Sequence, residues 1–238
     1  MKVEVLFPEI CNLFGDLSNI VYLERCAEDV EIIQTALGEV PRFIKSNDVD
    51  LIYLASMTEK AQVMSIAALL PYREKILSSI ESNQVFLVTG NALEIFGSQI
   101  ESAEMANPIK ALNIFPLTAR RDLLKVRYNS LYVGEFEDSI KIVGFKSLFG
   151  FSYGNVPPLF NTIRGCGINK STKAEGIRVN NFMATYVTGP LLPLNPLFTK
   201  HICNLCGNHG KIQYEKEAMD AYNSRLKDFL EPDRGLEF

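Results

Sequence analysis

The stretch QVFLVTGNALEIFG, Gln84–Gly97, decides how this chain is read. Its first half is a continuous apolar run of strand length, Gly90 and Asn91 supply a tight turn, and the residues that follow begin a helical pattern. Enzymes often place a nucleophile where a strand turns sharply into a helix, exposed and near the positive end of the helix. Here the turn is Thr89-Gly90-Asn91; it holds no cysteine, and its only hydroxyl comes one residue before the glycine. The segment is either an active site or the frame of one.

Working outward, KVEVLF (2–7), VEIIQTAL (30–37) and VDLIYLA (49–55) read as further strands. The last two are read as continuous in apolar character, the mark of strands buried on both faces. NIVYLERCAED carries Ile20, Leu23 and Ala27 at helical spacing, and 58–83 is helical with an interruption at Pro71. This alternation predicts an α/β fold, a mostly parallel sheet sandwiched by helices. In the second half SLYVGEF (130–136), SIKIVGF (139–145) and IRVNNFMATYV (177–187) predict an antiparallel extension. Ala218, Tyr222, Leu226 and Phe229 share one face of a helix over 214–230, stopped by Pro232. Without repeats or a dividing linker, 1–238 is expected to form a single domain, with 208–238 a C-terminal helical extension.

Ligands of open α/β sheets sit at the carboxyl ends of the strands. That places a pocket at Leu6–Phe7, Ala55–Met57 and Thr89–Asn91, closed by the loop around Thr188. A net charge of −4 argues against nucleic acid and anionic membranes as partners. No apolar run reaches the ~18–20 residues that cross a bilayer, because FMATYVTGPLLPLNPLF is broken by Gly189 and prolines. The acidic, proline-containing start is no signal peptide, and five scattered cysteines make no secreted disulfide framework. A cytoplasmic location is expected, and no cofactor.

Two stretches carry a specific resemblance. LFPEICNLFGDLSNI (6–20) is similar to a Tyr-Pro-x-x-x-Asn-x-Tyr-Gly-Asp-x-Gly-Asn opening, and GCGIN…AEGIRVNNFMATYVTGPLLPLNP to Gly-x-Gly-x-Asn, Glu-Gly and Gly-Pro-Leu-Leu-Pro-x-Asn-Pro in the same order. Both belong to the class I glutamine amidotransferases of the cobyric acid synthase type. The branch most resembled is the glutaminase subunit of lipid II isoglutaminyl synthase. The likeness runs over roughly residues 1–200 and implies a flavodoxin-like fold. It also implies a mechanism: a cysteine at the strand–helix elbow hydrolyses glutamine, a histidine from a distant loop activates it, and backbone N–H groups hold the oxyanion. A partner then uses the ammonia.

Carried over residue by residue, the resemblance implies that the machinery is missing. The family elbow, Cys-x-Gly-x-Gln-x-x-Gly, aligned on Gly97, puts Gly90 at the nucleophile position and Glu94 at the glutamine. Thr188 stands where His-Gly-Pro-Leu-Leu-Pro has its base. The Gly-Gly-Gly-Gln-Asp turn that shapes the oxyanion hole is Ala55-Ser56-Met57-Thr58-Glu59, and Gly-Phe/Tyr-Glu-x-His becomes Gly144-Phe145-Lys146-Ser147-Leu148. Losing one member of a catalytic unit leaves little for further losses to remove, so the others can drift freely. The expected pocket lining is Ser56, Met57, Thr89, Gly90, Asn91, Glu94, Lys146 and Thr188.

Two classes of function follow. In the first the chain is an inactive pseudo-glutaminase, a binding or partner subunit of a Mur-ligase-like, ATP-dependent enzyme, or a holder of a small-molecule ligand in the remodelled pocket. In the second it is an amidotransferase or hydrolase with relocated residues drawn from Thr89, Ser56 or Cys11, supplying ammonia for a cell-wall or cobyric-acid-type substrate. A buried Cys11 acts as a small hydrophobe, whereas a relocated thiol needs a nearby base.

The smaller signals have two readings each. His201, Cys203, Cys206 and His209 are zinc-ligand types within nine residues, yet their close spacing strains a tetrahedral site, and a helix over 197–206 accounts for them as core. RRDLLKVR, with Arg120, Arg121, Lys125 and Arg127, is an anion grip or, interleaved with leucines, a solvated element edge. GCG at 165–167 reads as a turn. Asp16 is either a helix cap or a pocket carboxylate.

Overall fold

The computed structural model describes residues 1–238 apart from 138, 234, 236 and 238. Strand β1 (Lys2–Leu6) leads through a 3-10 turn at Leu13–Gly15 into helix α1 (Ser18–Cys26), then β2 (Glu31–Thr35), α2 (Arg42–Lys45) and β3 (Leu51–Leu54). Pro71 breaks the next helical stretch into α3 (Glu59–Leu69) and α4 (Arg73–Glu81), joined by a 3-10 turn, and β4 (Val85–Thr89) runs directly into a 3-10 helix, Gly90–Phe96. Then come β5 (Gln99–Ser102), β6 (Ile109–Lys110), β7 (Leu117–Arg121), β8 (Tyr128–Phe136), β9 (Ile140–Leu148), β10 (Gly150–Gly154), β11 (Phe160–Arg164) and β12 (Ala174–Glu175). They are followed by β13 (Ile177–Val179), β14 (Phe182–Thr185) and helices α5 (Leu191–Leu194), α6 (Pro196–Leu205) and α7 (Glu215–Leu230).

Among the described residues the strands make three sheets. The six-stranded one has the order β13-β14-β4-β3-β1-β2, parallel throughout except for β13. Every residue of LIYL in β3 and VFLVT in β4 is buried, which is why these strands carry no polar alternation. The two four-stranded sheets are β10-β7-β5-β6 and β12-β11-β8-β9, with antiparallel pairing everywhere but β5–β7. The α/β class with a parallel central sheet and an antiparallel extension is thus observed.

Three details differ from expectation. VEIIQTAL forms the outer strand of the central sheet, so β2 is largely exposed or half-buried and not buried on both faces, in keeping with Glu31 and Gln34 on its exposed positions. IRVNNFMATYV does not join the antiparallel extension: β14 lies parallel beside β4, and β13 folds back on it as the antiparallel edge. The elbow enters a 3-10 helix and not an α-helix. In the C-terminal extension, α7 sets Tyr222 against Val133 and Val143 of the β8–β9 hairpin, and the Tyr222 hydroxyl donates to Lys141 O at 2.9 Å. Positions 234, 236 and 238 of that extension lie outside the described residues.

Two features position the site. The ends of β3 and β4 bring residues 55–57 and 89–91 together, while β7, β9 and β10 raise a wall beside them. A two-way backbone bridge between Phe145 and Thr188, 3.0 and 2.9 Å, fixes the loop before α5 to that wall.

Candidate functional site

At the carboxyl ends of β3 and β4 a narrow cleft encloses about 510 Å³, counted to its open mouth. Ser56, Gly90, Asn91, Glu94 and Thr188 line it. They are joined by Leu13, Phe14, Glu59, Arg121, Arg127, Ser147, Leu148, Phe149, Gly150 and Tyr186.

The floor is the elbow itself. Gly90 has φ +61°, a left-handed conformation that glycine enters without a Cβ penalty. A Cβ built there would lie far inside van der Waals contact of the Ser56 Cβ, 3.3 Å from Ser56 Cα and 3.4 Å from the Thr188 methyl. Ser56 and Thr188 therefore fill the volume that any side chain at position 90 needs. The neighbouring backbone donors are also engaged. Ser56 N–H donates to Asp16 Oδ2 at 2.9 Å, and Met57 N–H to Asn91 Oδ1 at 3.0 Å. The Asn91 amide completes a two-point clasp by donating to Met57 O at 2.8 Å.

Several expected pocket residues sit beneath this floor. Thr89 is wholly buried and donates to Asp16 Oδ2 at 2.5 Å, with Tyr53 Oη 3.1 Å away. It is not among the cleft-lining residues, because alternation along β4 turns it to the interior. Met57 is likewise wholly buried, with Cys11 Sγ 3.8 Å from its sulfur. Lys146 is a correction of another kind: it is wholly buried behind the wall, since β9 turns Ser147, the next residue, toward the cleft. Its ammonium donates to Glu175 Oε2 at 2.5 Å and to the carbonyls of Cys166 and Gly167 at 2.8 Å, so this charge ties β9 to β12 and the loop before it and does not face a ligand.

Asp16 meets neither of its two expectations. It caps no helix with its side chain and does not reach the cleft; it is the buried hub that accepts from Ser56 N–H, Thr89 and the Asn19 amide. Burial pushes its carboxyl above the usual range, and these hydrogen bonds oppose that shift. Burial also pushes the Cys11 thiol up to about 12, which leaves it protonated and unreactive at neutral pH.

His201 packs edge-on against Phe136 with ring centroids 4.8 Å apart, and its buried Nε2 has no partner. Burial holds it below the usual histidine value, in its neutral form. Cys203 is buried in α6, Cys206 points its thiol at Asp50 O at 3.7 Å, and exposed His209 lies 3.3 Å from Asn204 Oδ1. No group of three or more His, Cys, Asp or Glu placed to hold a metal occurs among the described residues.

The wall holds what the sequence reading missed. RRDLLKVR does not behave as one solvated edge. Arg120 is exposed and paired with Glu101 at 2.9 Å, but Arg121, two residues beyond buried Ala119, turns inward and is buried. Arg121 Nη1 donates to Gln62 Oε1 at 2.7 Å, and the Gln62 amide donates to Glu94 Oε2 at 2.9 Å. Glu94 Oε1 accepts from Tyr186 at 2.9 Å. Burial raises the Glu94 carboxyl; the Gln62 and Tyr186 bonds and the Arg121 charge lower it in part. The Arg127 guanidinium carbon lies over the rings of both Phe14 and Phe149, 5.4 and 4.2 Å from their centres. The inward period-two position of Arg121 was the signal available in the sequence; nothing local marks Phe14 or Phe149 as the neighbours of Arg127.

Comparison with known proteins places this geometry. No family model matches the chain. In sequence it is 23% identical over 211 residues to the GatD subunit of the glutamine-hydrolysing lipid II isoglutaminyl synthase of Staphylococcus aureus (strain N315), covering 88% of this chain and 85% of that protein. In structure it resembles a glutamine amidotransferase with a TM-score of 0.55 at 8% identity, covering 86% of this chain and 98% of the other. A glutamine amidotransferase of Thermotoga maritima gives a TM-score of 0.51 at 10% identity, covering 97% and 98%. The chain has the glutamine amidotransferase fold and is a glutamine amidotransferase-like protein related to GatD. No helix among its described residues is long and apolar enough to cross a membrane.

Proposed function

We propose that this chain is a pseudo-glutaminase, a non-hydrolysing binding or partner subunit of a Mur-ligase-like, ATP-dependent enzyme. One observation carries the reading: Ser56 occupies the space that a side chain at Gly90 needs. In the family that the sequence resembles, position 90 bears the cysteine and position 56 a glycine. The two differences fit each other physically, since a serine at 56 is tolerated only when 90 has no Cβ. Engagement of Ser56 and Met57 N–H by Asp16 and Asn91 supports it further, because an oxyanion hole needs donors free to meet developing charge. Neither histidine lies among the cleft residues, so no general base of the usual kind is at hand. The partner role rests on the likeness to GatD, itself named as a synthase subunit.

The direct test is release of glutamate from glutamine by the purified chain, alone and with its co-purified partner. The expected result is no release above the buffer blank; turnover in the ordinary enzymatic range of about 1–10³ s⁻¹ sinks the reading. A second expectation is specific to the fit at the floor. Thr188→His with Gly90→Cys alone stays inactive, and any recovered activity requires Ser56→Gly as well. Purification at native expression, followed by mass spectrometry, tests the partner role. A stoichiometric Mur-ligase-like protein supports it, and recovery of the chain alone across a range of salt concentrations refutes it.

A further inference from the structure

The wall of the cleft carries two cationic groups with donor capacity that the fold does not use. Arg121 is 8% exposed, and its Nε is buried without a hydrogen-bond partner, although Nη1 is held by Gln62. An orphaned buried donor costs about 1–3 kcal/mol, more when charged, so its persistence calls for an occupant. Arg127 lines the same cleft and makes no ion pair among the described residues. Its one hydrogen bond recorded there is a long 3.4 Å contact to Ser147 Oγ. Its guanidinium carbon lies over the rings of Phe14 and Phe149, which hold the charge at the cleft without accepting its N–H groups in the way an oxygen would. A guanidinium held over aromatic rings with most of its N–H groups uncommitted is suited to bidentate donation to an oxyanion. Two carboxylates share the cleft, but neither closes these donors. Glu94 is tied by Gln62 and Tyr186, and Glu59 stands half-buried at the lining without a bond to either arginine.

We infer that the cleft binds a ligand through an oxyanion group, a carboxylate or phosphoryl, held between Arg121 and Arg127. The inference rests on the reading of this cleft as a binding site and not a hydrolytic one. The narrow cleft admits the charged end of such a ligand, with Leu13, Leu148 and Phe149 offering apolar contact along its path.

The test is calorimetric titration of the full-length chain at constant ionic strength with three probes in turn: inorganic phosphate, succinate and L-glutamine. Saturable binding of phosphate or succinate is expected, and which of the two is tighter distinguishes the sources. Arg127→Gln and Arg121→Gln should each weaken it about tenfold or more, as befits loss of a charge-assisted hydrogen bond. Arg127→Lys keeps the charge but not the fork and should also weaken it. Arg120→Gln, at the exposed neighbouring position, controls for general electrostatics and should leave affinity unchanged. Far-ultraviolet circular dichroism establishes that each variant is folded, and Arg127→Lys serves if Arg121→Gln is not. Binding that ignores Arg121 and Arg127, or no binding of either anion, overturns the inference. Binding of L-glutamine, which also carries a carboxylate, overturns it when Arg121→Gln and Arg127→Gln leave that binding unchanged. Glutamate release is read separately, so hydrolysis defeats the pseudo-glutaminase reading without being mistaken for failure of the anion site.

Discussion

The floor and the wall of the cleft, a few residues apart, handle their polar groups in opposite ways. On the floor the groups facing the elbow are committed: Ser56 N–H to Asp16, Met57 N–H to Asn91, Thr89 to Asp16, and the space over Gly90 to Ser56. On the wall the cations are held in place without a direct ion pair among the described residues, Arg121 by Gln62 and Arg127 by two aromatic rings. A floor so closed resists change and offers no handle to a reacting atom. A wall so poised is easy to mutate and offers two handles to a charged group. The difference teaches that chemistry and recognition can separate within one site, since rigidity serves the first only when the reacting groups remain, while recognition needs only placed donors.

The largest expected effect breaks the floor. Asp16→Ala removes one acceptor from three donors at once and leaves buried N–H and O–H groups unsatisfied, so it should cost about 4 kcal/mol of stability in urea unfolding. A loss under about 1 kcal/mol would mean that water replaces the carboxylate and that the floor is not closed.

Next comes Gly90→Ala. A Cβ at φ +61° is strained and collides with Ser56, which together should cost about 3 kcal/mol. Adding Ser56→Gly removes the collision but not the strain, so the double variant should recover about 1–2 kcal/mol. Strict additivity of the two changes would sever the link between Ser56 and Gly90. On the wall the matching change is milder: Arg127→Gln loses two cation–π contacts at a partly open site and should cost about 1 kcal/mol or less, while anion binding falls. Equal losses at Asp16 and Arg127 would erase the distinction between the two regions.

The same distinction explains what the sequence disclosed. The sheet was legible because β3 and β4 are buried on both faces and must be apolar at every position. The edge position of β2 was not, since Val30-Glu31-Ile32-Ile33 reads alike whether one neighbour or two lies beside it. At the site, Ser56, Gly90 and Asn91 were placed at the cleft by strand ends, Thr188 by the loop that closes them, and Glu94 by the family motif aligned on Gly97. Thr89 and Lys146 were misplaced because one residue along a strand reverses the face, and a motif alignment does not say which face is which. Arg127 could not be placed at all: its setting depends on Phe14 and Phe149, two rings brought together only by the fold.

The smallest effect tests the boundary between the regions, where Glu94 is buried on the floor side yet feels the charge of Arg121 on the wall. Burial raises its folded-state pKa above the ordinary 4.5. The protonated form is therefore favoured by folding, and Glu94 contributes its stability below that ordinary value and loses it as the pH climbs through the raised one. Glu94→Gln keeps the shape and cannot ionise, so the wild type should lose stability relative to the variant as the pH rises from about 4 toward neutrality. Urea unfolding of both proteins across that range reads the slope directly. A slope of the opposite sign would show that attraction to Arg121 outweighs desolvation, and would move Glu94 from the closed floor to the charged wall.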